Sequence, residues 1–317
     1  MTLRLGILGC ARIAGTFCRH LAADPLPRGT LEVVAVASRS ADTAEAFGRE
    51  HGIARRHASY EALLADDGVD AVYIPLPNTM HAPWAVRAAE AGKHVLCEKP
   101  LATSLADART MFDAARRHGV LLLEAYPYWF QPQTRDLVGL LQSGAIGRVQ
   151  SVQACFGFTM SFPQGNIRLN PSLGGGALLD AGSYPLSLVR LVMGEAPVRV
   201  RADARWTEGG PGAGVDIAMH GTLSYADGRQ AQFSCAMDVA NHRRATIVGD
   251  AGTIETEYLN HTSAVPGGDA GGDLPSQMRV RRGTANTVPF EEVRSATGSG
   301  FRFGAEAFAR VVAARDR

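Results

Sequence analysis

The chain has 317 residues, enough for two domains of ordinary size, and 46% are hydrophobic against 20% charged, the balance of a folded globular protein. Its 32 basic and 31 acidic residues leave a formal charge of +1, which excludes the basic surplus of a nucleic-acid binder and the long acidic run of a solvated tail. The five cysteines (Cys10, Cys18, Cys97, Cys155, Cys235) show no metal-ligand spacing, the N-terminus is too short for a signal segment, and no run of about 18 apolar residues occurs, so a cytoplasmic protein with reduced thiols, no metal and no membrane contact is expected.

The first strand is expected over Leu3–Gly9, followed by a helix from Ala11 to Ala23 that Asp24-Pro25 ends. A Val-rich strand spans Leu31–Ala37 and a helix Ala41–Glu50. A short helix over Tyr60–Leu64 precedes a strand at Ala71–Ile74. A helix from Pro83 to Ala91 stops at Gly92, a strand covers Val95–Cys97, and Leu105–Arg117 is helical with Gly119 placed as an αL cap. Val120–Glu124 closes the series. These strands are almost continuously apolar, as burial on both faces requires, and their alternation with helices predicts a doubly wound parallel sheet over residues 1–124.

Beyond a helix at Thr134–Gln142 the pattern changes to long alternating strands: Val149–Phe158, Val198–Trp206, Asp216–Tyr225 and Gln230–Val239. Ala226-Asp227-Gly228-Arg229 is a hairpin signal, and Asp250-Ala251 turns Ala245–Gly249 back into Gly252–Tyr258. This predicts an α+β domain over 125–317 with an open, mostly antiparallel sheet, whose uncovered face is expected to join two copies in a homodimer. Two flexible loops are expected, at 208–214 and 265–276, and an amphipathic helix at Ala305–Arg317.

The turn Gly9-Cys10-Ala11-Arg12-Ile13-Ala14 sits where G-x-G-x-x-G would bind a dinucleotide, with alanine at the second and third glycine positions. Gly9, Ala11, Arg12 and Ile13 are therefore candidates to hold a pyrophosphate at a helix N-terminus; an ordinary tight turn fits the same loop. After the second strand, Ser38-Arg39-Ser40 carries no carboxylate for a ribose 2′-hydroxyl. Arg39 could instead pair with a 2′-phosphate, which favours NADP and leaves NAD possible; a solvated loop arginine is the bland alternative.

Four segments then carry a resemblance: 6–14, Tyr73 to His81, Val95 to Ala102 with its Glu98-Lys99-Pro100, and Gly174 to Tyr184. Together, in this order, they resemble the Gfo/Idh/MocA family of nicotinamide-dependent oxidoreductases, and within it the dihydrodiol and D-xylose dehydrogenases, where tyrosine replaces the histidine of inositol dehydrogenases. The resemblance implies a Rossmann domain and hydride transfer between NADP and a hydroxyl or carbonyl of a small sugar or diol. It implies that Lys99, Asp180 and Tyr184 are catalytic and that Leu76, Pro77, Asn78, His81, Glu98 and Lys99 itself line the cofactor. The chemistry agrees: a phenol, ordinarily titrating near about 10, becomes a better base beside an ammonium, and Asp180 and Tyr184, four residues apart, would share one helix face. Tyr126, Trp129 and Arg168 are candidates for substrate contact; in the cluster Tyr126, Tyr128, Trp129 and Phe130, core packing accounts for at least two. Gly174–Gly176 would let backbone approach the nicotinamide, and Pro185 would bend the chain after Tyr184.

The sequence departs from the family at Trp129-Phe130-Gln131-Pro132, where Arg-Phe-His-Pro is usual, and related chains commonly continue past the last helix. Two alternatives stay open: a sugar oxidoreductase that never releases its NADP, and a non-catalytic NAD(P)-binding sensor.

Overall fold

Leu5, Ile7 and Leu8 are fully buried in strand β1 (Leu3–Leu8), at the centre of a six-stranded sheet that they anchor on both faces. The computed structural model describes residues 2–161, 164–257, 277–296 and 298–315; the loop expected at 265–276 lies outside them. Residues 2–130 and 298–315 form one compact unit, and the described residues of 131–257 and 277–296 a second.

In the first unit β1 is flanked by β2 (Leu31–Ala37), β3 (Arg55–His57), β4 (Ala71–Ile74), β5 (His94–Glu98) and β6 (Leu122–Ala125). The order is β3-β2-β1-β4-β5-β6 and every neighbouring pair is parallel, so the chain reverses its winding between β1 and β4. Helices α1 (Arg12–Ala23), α2 (Ala41–Glu50), α3 (Tyr60–Leu64), α4 (Asn78–Glu90) and α5 (Leu105–Arg117) are the crossovers. Serines cap three of them: Ser40, Ser59 and Ser104 each accept an N–H of the first turn. Helix α4 starts five residues before the expected Pro83, which sits within it at the loss of one backbone bond.

The last helix, α8 (Gly300–Arg315), belongs to this unit rather than to the second domain expected over 125–317. Its stripe Phe301, Ala305, Phe308, Ala309 and Val312 shares a core with Leu5, Ile7, Phe17 and Tyr73. Phe17 stacks on Tyr73 at 4.6 Å and meets Phe301 edge-on at 6.1 Å. Each fully buried phenylalanine of this stripe contributes about 1.5–3 kcal/mol. The short helical turn Pro127–Phe130 packs against α8, so the unit ends at residue 130 and not at 124.

The second unit opens with α6 (Pro132–Gln142), and α7 (Ser183–Met193) packs on β7 (Val149–Thr159). The sheet runs β14-β13-β12-β11-β7-β10-β9-β8. Strand β8 covers Arg199–Trp206, β9 Asp216–Ser224, β10 Gln230–Ala236, β11 Asp238–Gly249, β12 Gly252–Glu257, β13 Gln277–Arg282 and β14 Glu291–Val293. All pairs are antiparallel except β7 with β10. The hairpin at 226–229 and the turn at 250–251 form as expected, but the strand expected to reach Val239 ends at Ala236, and β11 begins two residues later as one long strand.

Candidate active site

Where β1 ends, Gly9 adopts φ +109°, and its N–H donates to the Ala37 carbonyl of β2 at 2.9 Å. A Cβ at Gly9 would stand 2.7 Å from Leu76 Cδ2. The turn delivers the chain into α1, whose Ala11 N-cap supplies no side-chain bond and whose first turn holds no acid. Ala14 N donates to the Ala11 carbonyl at 2.9 Å, and no side chain of the cap competes for the N–H groups before it, the arrangement of a helix start that can accept an anion. Leu76 and Pro77 follow β4 on the other side of the winding reversal, the position where open α/β sheets bind ligands.

Ser38 and Arg39 follow β2. Ser38 Oγ accepts from Ser40 N at 3.2 Å, and Arg39 is exposed. Arg39 hydrogen-bonds the Tyr60 hydroxyl, whose pKa burial raises and Arg39 lowers. That hydroxyl lies 3.7 Å from where a Gly9 Cβ would be, so Tyr60 joins the Gly9 turn to Arg39. Trp84 meets Tyr60 edge-on at 4.8 Å, with the Arg87 guanidinium 4.7 Å from the Trp84 ring. The sequence marks Tyr60 only as the start of a short helix. The residues present fit a dinucleotide bearing a 2′-phosphate: a close-approach turn, an uncapped helix start and an exposed guanidinium at the end of β2.

At the end of β5 the Glu98 carboxylate accepts the Tyr73 hydroxyl at 2.6 Å and the Lys99 N–H at 3.3 Å. Lys99 leads into Pro100 through a cis peptide bond. His81 is 1% exposed and its ring nitrogens face two carbonyls, Nδ1 that of Pro100 at 2.9 Å and Nε2 that of Leu76 at 2.8 Å. It ties the Lys99 turn to the Leu76 loop; burial lowers its pKa and the two carbonyls oppose that. Asn78 is the first residue of α4 and not its cap. In the aromatic cluster Tyr128 is fully buried and Phe130 packs beside Gly304 of α8, whereas Trp129 is 46% exposed and Tyr126 is half-buried against Tyr128.

The second unit holds Arg168, Asp180 and Tyr184. Asp180 lies on a π-type turn, Leu178–Gly182, that widens the helical path just before α7. The disruption therefore precedes Tyr184 instead of following it, and Pro185 is accommodated in the first turn of α7. Asp180 Oδ2 accepts from Arg168 Nε at 2.6 Å, and Ser183 Oγ donates to the Asp180 carbonyl at 3.0 Å. Tyr184 is 2% exposed and stacks on Phe156 with centroids 4.8 Å apart and planes 14° from parallel. The ring is thereby fixed against β7.

Asp216, the first residue of β9, holds this turn from beneath. Its Oδ2 accepts from Leu178 N at 2.6 Å; burial raises its pKa and that bond opposes the rise. Gly176, at φ +120°, lies so close that a Cβ there would be 2.2 Å from Asp216 Oδ1. The glycine cluster expected to approach a nicotinamide thus has a use inside its own unit, as the close approach of the turn to Asp216. Gly176→Ala should lower stability by about 2 kcal/mol or more, from a left-handed backbone and a clash with a buried carboxylate. Urea unfolding reads this directly; an unchanged midpoint would contradict it.

Among the described residues, no group of three or more His, Cys, Asp or Glu is placed to hold a metal ion, and no helix is long and apolar enough to cross a membrane.

Residues 3–126 match the family described as an oxidoreductase family with an NAD-binding Rossmann fold, and residues 134–255 match the Gfo/Idh/MocA C-terminal domain. The trans-1,2-dihydrobenzene-1,2-diol dehydrogenase of Xenopus tropicalis is 32% identical over 310 residues, 95% of this chain and 91% of its own. A D-xylose 1-dehydrogenase (NADP(+)) of Haloferax volcanii is 41% identical over 224 residues, 71% of this chain and 67% of its own. Among solved structures, a 3-ketoreductase from Actinomadura kijaniata in complex with NADP and TDP-benzene aligns with TM-score 0.85 at 32% identity, over 100% of this chain and 91% of that one. The same ketoreductase has been solved with a lysine changed to alanine or glutamate and with a tyrosine changed to phenylalanine. An aldose-aldose oxidoreductase from Caulobacter crescentus aligns with TM-score 0.84 at 28% identity, over 99% and 90%.

Proposed function

We propose a reaction for this chain, which belongs to the Gfo/Idh/MocA family of oxidoreductases: the reversible, NADP-dependent oxidation of a hydroxyl on a small sugar or cyclic diol. The observation that carries it lies in the first unit. Lys99 follows β5 at the same edge of the parallel sheet where the Gly9 turn follows β1, so the cation and the nucleotide turn open on one side. Support comes also from relatives whose names describe a D-xylose and a dihydrodiol dehydrogenase, and from a neighbour solved with NADP and probed at a lysine and a tyrosine.

The bound nicotinamide would supply or accept the hydride. The chain's own residues would do the rest. Gly9, Ala11, Arg12 and Ile13 form the anion-binding start of α1, and Ser38 and Arg39 meet the 2′-phosphate. Leu76, Pro77, Asn78 and Glu98 shape the remaining cofactor wall, with His81 holding it. Lys99 donates to the substrate oxygen and stabilises negative charge as it develops there. Tyr184 passes the proton, giving it to the oxygen in reduction and taking it in oxidation. Asp180, paired with Arg168, orients the substrate hydroxyls, and Tyr126 and Trp129 offer ring faces to it.

Tyr184→Phe removes the proton while leaving the ring stacked on Phe156. It should lower kcat by about 10²–10⁴-fold with the NADPH affinity unchanged within about threefold. A variant as fast as wild type would remove Tyr184 from the mechanism. The aldose-aldose oxidoreductase neighbour favours a second reading, in which NADP stays bound while one sugar is oxidised and another reduced. Gel filtration decides: nucleotide co-eluting at one equivalent supports it, and loss of the nucleotide excludes it.

A homodimer through the open face of the second sheet is also proposed. That face carries a groove of about 580 Å³ lined by Arg201, Asp203, His220 and Arg244 together with Phe233 and Ala245, so the contact would be mixed polar and apolar. Sedimentation should find a dimer; a monomer throughout would dismiss it.

A further inference from the structure

Three consecutive residues of the lysine turn are each gripped by a different side chain. Glu98 accepts the N–H of Lys99 at 3.3 Å. His81 Nδ1 faces the carbonyl of Pro100 at 2.9 Å. Glu124 Oε1 accepts the N–H of Leu101 at 2.8 Å. The last comes from β6, where Glu124 pairs with Cys97 of β5 and so stands beside the strand that carries the turn.

Glu124 is an unusual residue for this place. β6 is a parallel edge strand whose neighbours Leu122 and Ala125 are buried, and a half-buried carboxylate there needs compensation. Burial raises its pKa, the Leu101 N–H lowers it, the nearby Glu98 raises it, and the Lys99 ammonium lowers it. The ammonium thus bears on the carboxylate, while the hydrogen bond that the carboxylate accepts comes from the backbone beyond the proline, the Leu101 N–H. Neither the dinucleotide turn nor the substrate contacts proposed above use it.

We propose that Glu124 is a positioning residue for Lys99: by fixing Leu101 on the far side of the turn that His81 and Glu98 hold on the near side, it sets where the ammonium points. This rests on the reading of Lys99 as the catalytic cation. A single misplaced group of this kind costs rate without costing cofactor affinity, because positioning is realised at the reacting atoms.

The test separates reach from charge. Glu124→Asp keeps the charge and withdraws the acceptor by one methylene; Glu124→Gln keeps the reach and removes the charge. Glu124→Asp should lower kcat about 10- to 100-fold with the KM for NADPH within about threefold of wild type, and Glu124→Gln should retain at least about ten times the kcat of Glu124→Asp. Adding Glu124→Asp to Lys99→Met should slow the residual rate by less than about twofold, since a residue acting through Lys99 has nothing left to act on. Circular dichroism confirms that each variant is folded, and the aspartate variant, as the smallest change, serves if a larger one is not. The proposal is overturned if Lys99→Met is inactive while Glu124→Asp runs at the wild-type rate, or if the two losses multiply in the double variant. A fully active Lys99→Met overturns instead the reading on which it rests.

Discussion

Lys99→Met is expected to lower kcat by about 10²–10³-fold or more, the cost of removing one charge-stabilising donor from a preorganised site, while NADPH binding changes less than about threefold. Methionine is nearly the same length as lysine and keeps the stem packed, so the change isolates the ammonium. The turn that carries it is held by backbone contacts to Glu98, His81 and Glu124, none of which uses the lysine side chain. The turn at Gly9, proposed to hold the cofactor, depends on its own geometry and on Leu76. The loss should therefore fall on kcat and not on cofactor affinity. Steady-state rates with NADPH and fluorescence titration of the same variant check both halves; a variant that binds poorly but turns over normally would reverse the assignment.

Arg39→Asp is expected to weaken NADP binding by about 10²-fold or more and to change NAD binding by less than about threefold. The loss combines charge-assisted hydrogen bonds to a phosphate, about 1.5–3 kcal/mol each, with repulsion between the new carboxylate and the 2′-phosphate. Arg39 is exposed at the end of β2 and steadied by the Tyr60 hydroxyl, which itself adjoins the Gly9 turn. Unfolding would weaken both nucleotides alike, so an altered preference reports on the contact to the 2′-phosphate. Calorimetric titration with both nucleotides reads it. Equal weakening of both would mean that Arg39 supports the loop, and no weakening of NADP would remove the argument.

What the sequence conveyed, and what it withheld, follow from the range of the interactions involved. Near-continuous apolar strands between helices announced the parallel sheet, because both of its faces are covered by its own crossovers. Serines before the helices at 41, 60 and 105 and the glycine past Arg117 are local signals, and the elements begin and end there. Strands β3, β13 and β14 were not foreseen: they are short or arginine- and glutamate-rich, and their pairing is decided by neighbours far along the chain. The amphipathic stripe of α8 told that one face would be buried but not against which core, so it was given to the wrong unit.

The site divides the same way. Lys99, Asp180 and Tyr184 stood out by motif; His81, Glu98 and Arg168 stood out beside them, but as contacts to cofactor or substrate and not as the partners that hold the Lys99 turn and Asp180. Asp216 reaches Leu178 from 38 positions downstream, and Glu124 and His81 meet the lysine turn from other elements. A carboxylate inside the apolar run 120–125 was the available signal for Glu124, because a half-buried charge there needs a hydrogen-bond donor. The pairing of Asp180 with Arg168 brings together two residues that sequence reading assigned separately, one to catalysis and one to substrate.

The central claim is that this chain moves hydride between a nicotinamide and a substrate carbon with Lys99 and Tyr184 at the oxygen. The most direct measurement is label transfer: NADPH carrying deuterium on its transferable position is incubated with a panel of keto-sugars, aldoses and cyclic hydroxyketones, and the products are weighed by mass spectrometry. The account predicts deuterium on the product carbon with the wild-type protein and none above background with the Lys99→Met/Tyr184→Phe double variant. Equal labelling by the double variant, or tight NADPH binding with no label reaching any member of the panel, would contradict it.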